Sequence, residues 1–305
     1  MFPPYLQRTS RRPLRLAIFL ASTLNLGALL LAFQPLSINL LSDDPQQLTA
    51  ARQELELALV SQIKTVDTQL AQAQEVVERY ASSAIPAQFQ GQTLERVVLQ
   101  SKEKVVALTF DDGPWSYTPQ ILDILKKYKI KATFFVIGQH IQAHREQMQQ
   151  IVQEGHAIGN HTWNHHYHNI STETAAAELG RTADLLKEVT GVETMMFRPP
   201  GGNLTNGLVN YAAQNNYVTL MWSVDSHDYR SSMTAASMSE KVVGGIHSGA
   251  IVLLHDGGGN RTQTVQALPQ ILNQLQEQGY RFVTVPELLE LKARESKPKV
   301  NPSPG

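Results

Sequence analysis

A chain of 305 residues with 42% hydrophobic content has room for one large domain or two small ones, and for a sizeable core. Its formal net charge of -1 and pI near 6.8 create no global field toward nucleic acid or anionic lipid, so a charged ligand has to be recognised locally. With no cysteine, thiol catalysis, disulfide staples and cysteine-ligated zinc or iron-sulfur centres are excluded, while the redox compartment stays open.

At the N-terminus, Arg8, Arg11, Arg12 and Arg15 precede an apolar stretch from Leu16 to Phe33, roughly the length a spanning helix needs. Basic residues before it and Asp43 and Asp44 beyond it orient the chain with its bulk outside. The stretch ends Leu31-Ala32-Phe33-Gln34 without the small-residue pattern of a cleavage site, so a retained single-pass anchor in the cell membrane is expected for residues 1–40. A leader cut off to release a secreted chain is the alternative.

From Asp43 to about Ala84 the composition turns to Gln, Ala, Glu and Leu, which predicts one continuous helix within a segment 41–100. Leu59, Ile63, Val66, Leu70, Ala73, Val77 and Tyr80 alternate spacings of four and three, the rhythm of a coiled-coil seam. Three heptads suit a stalk, a helix packed on its own domain, or a homodimer formed through residues 55–80.

Beyond Val105, short β-rich runs alternate with amphipathic stretches, as βα units around parallel strands do. Seven strands are predicted, at 105–110, 133–137, 157–160, 195–198, 218–224, 250–254 and 281–285. Helices are predicted at 119–128, 174–189 and 265–278, the last stopped by Gly279. Five strands run into Asp, His, Arg or Gly at their C-terminal ends, which favours a distorted (β/α) barrel over 101–292, with its active face on that rim, over an open doubly wound sheet. Residues 293–305, rich in Lys, Glu, Ser and Pro, are expected to be a disordered tail.

Thr109-Phe110-Asp111-Asp112-Gly113-Pro114 puts two carboxylates just past a strand, a repulsive pairing unless a cation or an arginine relieves it. Alone, the motif reads equally as a surface turn. His161 and His165 stand four residues apart after the third strand, close enough to converge on one ion, and with a carboxylate they leave positions open for water. His166 and His168 crowd the same loop with a poorer spacing. Arg198, leaving the fourth strand, can pair with a carboxylate and is followed by the rigid Pro199-Pro200-Gly201-Gly202 turn. His255, after an apolar strand, is by position either a satisfied core residue or an acid on the rim.

With Arg198–Gly202, Asp225-Ser226-His227-Asp228-Tyr229 and Ile251–Asp256, five segments stand in the order found in polysaccharide deacetylases, and the stretch from Lys104 to Leu291 resembles that family, the NodB-homology or carbohydrate esterase 4 group. The resemblance implies a metal held by Asp112, His161 and His165, zinc by preference, with nickel or cobalt as alternatives. It implies Asp111 as base, tethered by Arg198, and His255 as acid, its ring held by Asp225. The backbone N–H of Gly201 becomes the oxyanion donor, and Leu253 lines a pocket for the acetyl methyl. Trp222 and Tyr229 add aromatic surface for a sugar, although either could be ordinary packing. Family members often carry Tyr where Gly201 stands, which puts the aromatic wall of the cleft in question. The expected reaction is hydrolysis of N-acetyl groups on an extracellular polysaccharide. Peptidoglycan N-acetylglucosamine is the first candidate, ahead of poly-N-acetylglucosamine, chitin and acetyl-xylan, and a non-catalytic glycan-binding member is the runner-up.

Overall fold

The computed structural model describes residues 45–83 and 85–296. They divide into two compact units at Arg79/Tyr80. Helix α1 (Pro45–Ser83), whose last turn passes the boundary of the first unit, realises the predicted long helix. Its seam residues Leu59, Ile63, Val66 and Leu70 are all exposed. No helix among the described residues is long and apolar enough to cross a membrane, and the segment 16–33 lies outside them.

The second unit is a parallel α/β barrel with an open ladder. Among the described residues its strands are β1 (Thr93–Leu94), β2 (Val105–Asp111), β3 (Thr133–Val136), β4 (Ala157–Asn160), β5 (Met196–Phe197), β6 (Val218–Leu220), β7 (Val224–Asp225), β8 (Ala250–His255) and β9 (Arg281–Phe282). Their order is β1-β6-β5-β4-β3-β2-β8-β7, with β9 on the early part of β2, so β1 and β7 remain unpaired edges. Nine strands replace the seven predicted. The run 218–224 breaks in two because the carbonyls of Leu220 and Met221 accept hydrogen bonds from the Arg198 side chain. The two-residue β1 carries too short a pattern to be read.

Strand alternation decides which side chains reach the interior. On β2, Val106, Leu108 and Phe110 join a cluster with Ile121, Leu122, Leu268 and Ile271 of the surrounding helices α2 (Thr118–Tyr128) and α8 (Thr262–Glu277). Val105 and Ala107 face the inner cluster with Phe135, Met196, Val218 and Ile251. The same parity sends Thr109 and Asp111 inward at the top of β2, Arg198 inward after β5, and Leu253 and His255 inward on β8. Leu288 and Leu289 of α9 (Val285–Glu295) pack into this inner cluster too. Thr284 and Glu287 form a reciprocal capping box that starts α9, and the helix runs through Glu295, so residues 293–295 of the expected tail are helical, while 297–305 lie outside the described residues.

Candidate active site

The C-terminal ends of β2, β4, β5 and β8 open onto a cleft of about 760 Å³. Asp111, Asp112, His161, His165, Gly201, Trp222, Tyr229, Leu253 and His255 all line it, together with Tyr167 and Asp228. The predicted residues therefore meet on one rim, with Arg198 buried beneath and Asp225 outside the lining.

Arg198 is completely buried. A guanidinium removed from water is tolerated only when its donors are used. Nη1 donates to Asp111 Oδ1 and to Thr109 Oγ1, each at 2.8 Å; Nε donates to the Leu220 carbonyl at 2.9 Å and Nη2 to that of Met221 at 3.0 Å. The cation also lies 4.1 Å over the Phe135 ring. Burial lowers its pKa, opposed by the charge and hydrogen bond of Asp111. One oxygen of Asp111 is thus fixed, while Oδ2 faces the cleft 3.9 Å from His161 Nε2.

Asp112 turns the chain with φ of 71° and brings Oδ1 to 3.4 Å from His161 Nε2 and 3.1 Å from His165 Nε2. That oxygen is buried with no hydrogen-bond donor aimed at it. Two imidazole nitrogens and a carboxylate whose ligand atoms lie within 4.8 Å of one another, facing a common point with an orphaned oxygen, fit a divalent cation. His161 Nδ1 donates to the Arg198 carbonyl at 2.7 Å, which leaves Nε2 as a free lone pair for the metal.

The histidine loop is fastened by a residue the sequence did not single out. Glu178, buried on α5 (Thr172–Thr190), accepts hydrogen bonds from the backbone N–H groups of Trp163 and Asn164, at 2.9 and 2.7 Å, and from the Asn164 amide at 2.6 Å. His166 reaches toward the same carboxylate and meets the His168 ring at a tilt, and neither lies in the cluster of Asp112, His161 and His165.

At the opposite wall His255 is held by Asp228, which corrects the expectation for Asp225. His255 Nδ1 lies 2.6 Å from Asp228 Oδ1, and the His255 backbone N–H donates to Oδ2 at 2.8 Å. Thr264 also donates to Oδ2, and the buried Arg261 holds the Asp228 carbonyl. Burial alone would lower the His255 pKa; the hydrogen bond and charge of Asp228, helped by Asp111 and Asp112, reverse this and raise it to about 9. Asp225 is occupied elsewhere. Its Oδ1 accepts the His227 N–H in an Asx turn and its Oδ2 the Tyr229 hydroxyl. That turn, with His227 at φ of 58°, carries the chain around so that Asp228 returns to the rim. The usable signal was the i to i+2 turn propensity of Asp-Ser-His, which commits the first aspartate to its own backbone.

Asp256 lies behind the aspartate pair, beside Gly113. It is fully buried, accepts from Thr118, and burial pushes its carboxyl up to about 7. A side chain at residue 113 would overlap this carboxylate, which is why glycine follows the aspartate pair.

Residues 99–220 match the family model described as Polysaccharide deacetylase. The chain is 45% identical over 195 residues to a peptidoglycan-N-acetylglucosamine deacetylase of Bacillus cereus, covering 63% of this chain and 91% of the relative. It superposes on a crystal structure of a peptidoglycan N-acetylglucosamine deacetylase with a TM-score of 0.61 at 32% identity, over 66% of this chain and 94% of the other. A family 4 acetyl xylan esterase from Clostridium thermocellum, solved with a cobalt ion, gives 0.58 at 35% identity, over 62% and 92%. Both the shared fold and a relative spanned over 91% of its length lead to one statement: the chain belongs to the polysaccharide deacetylase family, the metal-dependent hydrolases of carbohydrate esterase group 4.

Proposed function

We propose that this enzyme removes N-acetyl groups from N-acetylglucosamine of cell-wall peptidoglycan, using zinc, or nickel or cobalt in its place, held by Asp112, His161 and His165. The observation that carries the reading is the placement of two separately clamped proton carriers beside that trio: Asp111 fixed by Arg198, and His255 fixed by Asp228. The bound cation supplies Lewis acidity, polarising an amide carbonyl and making a water more acidic. Asp111, its other oxygen fixed by the Arg198 guanidinium, accepts the proton of the attacking water through its free oxygen. The Gly201 N–H donates to the developing oxyanion, and Leu253 closes an apolar pocket on the acetyl methyl. His255, carrying a proton at neutral pH, delivers it to the departing amine, which releases acetate.

The relatives named as peptidoglycan N-acetylglucosamine deacetylases support the choice of sugar. The basic leader and apolar segment 16–33 support single-pass anchorage with the catalytic domain outside, where that polymer lies. The a/d spacing over 55–80 supports pairing of two chains through α1. Acetate release by the full-length protein from peptidoglycan, chitin oligomers, poly-N-acetylglucosamine and acetyl-xylan, with chelator and metal add-back, tests the activity. Faster turnover of another polymer would reassign the substrate, and no metal-dependent release from any of them would sink the reading. A mature N-terminus after residue 33 would remove the anchor, and a monomer in light scattering would remove the dimer.

A further inference from the structure

An exposed tyrosine lies across the cleft rim directly over Gly201. Tyr167 is 65% exposed, lines the cavity with Asp112 and His165, and meets the His165 ring edge-on at 4.7 Å between centroids. A Cβ at residue 201 would come within 2.9 and 3.0 Å of its Cδ1 and Cε1, and Gly201 itself sits at φ of 60°. Tyr167 and the Gly201 turn are also tied through the backbone, since Asn203 Nδ2 donates to the Tyr167 carbonyl at 3.2 Å. Tyrosine offers broad, rigid contact surface at small entropic cost, and this ring sits on the wall of the cleft beside the His165 ring. A pyranose presents a flat face of C–H groups that fits such a ring, with hydroxyls at its edge for polar partners.

We propose that Tyr167 is a substrate-binding residue, a platform for a sugar ring of the glycan beside the reacting acetamide, and that glycine at 201 is its structural counterpart: the absent side chain is the space the ring fills. This rests on the glycan deacetylase reading above. The wall of the cleft is then supplied by the histidine loop rather than by the turn after β5, so sugar recognition and the metal ligand His165 share one segment.

The test uses the full-length protein, zinc and tetra-N-acetylchitotetraose. Tyr167→Ala should raise KM about fivefold or more, with a smaller effect on kcat. Tyr167→Phe should recover most of the loss, and zinc affinity measured by chelator competition should not move. Gly201→Ala should also raise KM, but by clearly less in the Tyr167→Ala background, because the ring it displaces is already gone; any effect of the strain at φ of 60° is common to both backgrounds and drops out of the coupling between the two substitutions. An unchanged KM in Tyr167→Ala, additive effects of the two substitutions, or a fall in zinc affinity that marks the ring as a prop for His165 would each overturn the proposal. Wild-type protein inactive on every acetylated glycan would instead overturn the functional reading beneath it.

Discussion

Replacing Asp228 by asparagine removes one charge from the acid wall and keeps its shape. The rise of the His255 pKa from 6.5 to about 9 amounts to about 3 kcal/mol in favour of the imidazolium, and Asp228 is its largest favourable source. Asp228 Oδ2 serves two donors, the fixed backbone N–H of His255 and the Thr264 hydroxyl, whereas Oδ1 meets only the ring. The asparagine oxygen therefore settles at the Oδ2 position, and its NH2 confronts Nδ1, which must then become an acceptor. The imidazolium is disfavoured and the ring pKa falls below its ordinary 6.5. At neutral pH the proton donor is lost, and kcat should drop about 10²- to 10³-fold, within the usual range for a general acid. In the acetate-release assay the wild-type alkaline limb should persist until pH rises through about 9, and the variant should lose that limb. If Asp228→Asn keeps kcat and the limb while Asp225→Asn abolishes both, the assignment is wrong.

The same pair predicts a pH dependence of stability. Because the folded pKa is raised, its stabilisation is complete below about 6.5 and is lost as pH rises through about 9, so the urea midpoint of wild type should decline over that window and that of Asp228→Asn should not. Arg198→Met leaves Asp111 buried without its cation and two carbonyls without donors; a loss of about 3–5 kcal/mol should appear as a large fall in Tm. Glu178→Gln keeps one acceptor oxygen for three donors, and metal affinity should weaken about 10- to 100-fold in a chelator competition assay. Chelation should abolish turnover, and zinc, cobalt or nickel should restore it; full activity in the stripped protein would contradict the ligand set.

Much of the barrel was legible because its central strands are buried on both faces and read as apolar runs closed by polar residues. The strand at 157–160 was placed to the residue. What escaped depends on side chains acting on distant backbone. The break between β6 and β7 is made by Arg198, more than twenty residues away, and no local pattern at Met221–Ser223 announces it. The metal trio was readable from donor type and spacing, and the structure brings its three side chains together. Asp225 as the partner of His255 came from the family resemblance, and the turn that brings Asp228 to the ring instead lies within the same short segment. The positive φ at His227 that re-aims the loop follows from neither periodicity nor composition. Glu178 lay hidden on a helix where an acidic residue ordinarily faces water.

The guanidinium of Arg198 reaches across the interior from the end of β5: it grips the end of β6 and the residue after it, and on its far side holds Asp111 on β2. Anchorage of the end of β6 and the aim of one carboxylate are thus a single mechanical joint. Warming that loosens β6 from the joint frees Asp111 to rotate while the helices and outer core are still packed. Thermal inactivation should therefore run ahead of loss of helical circular dichroism.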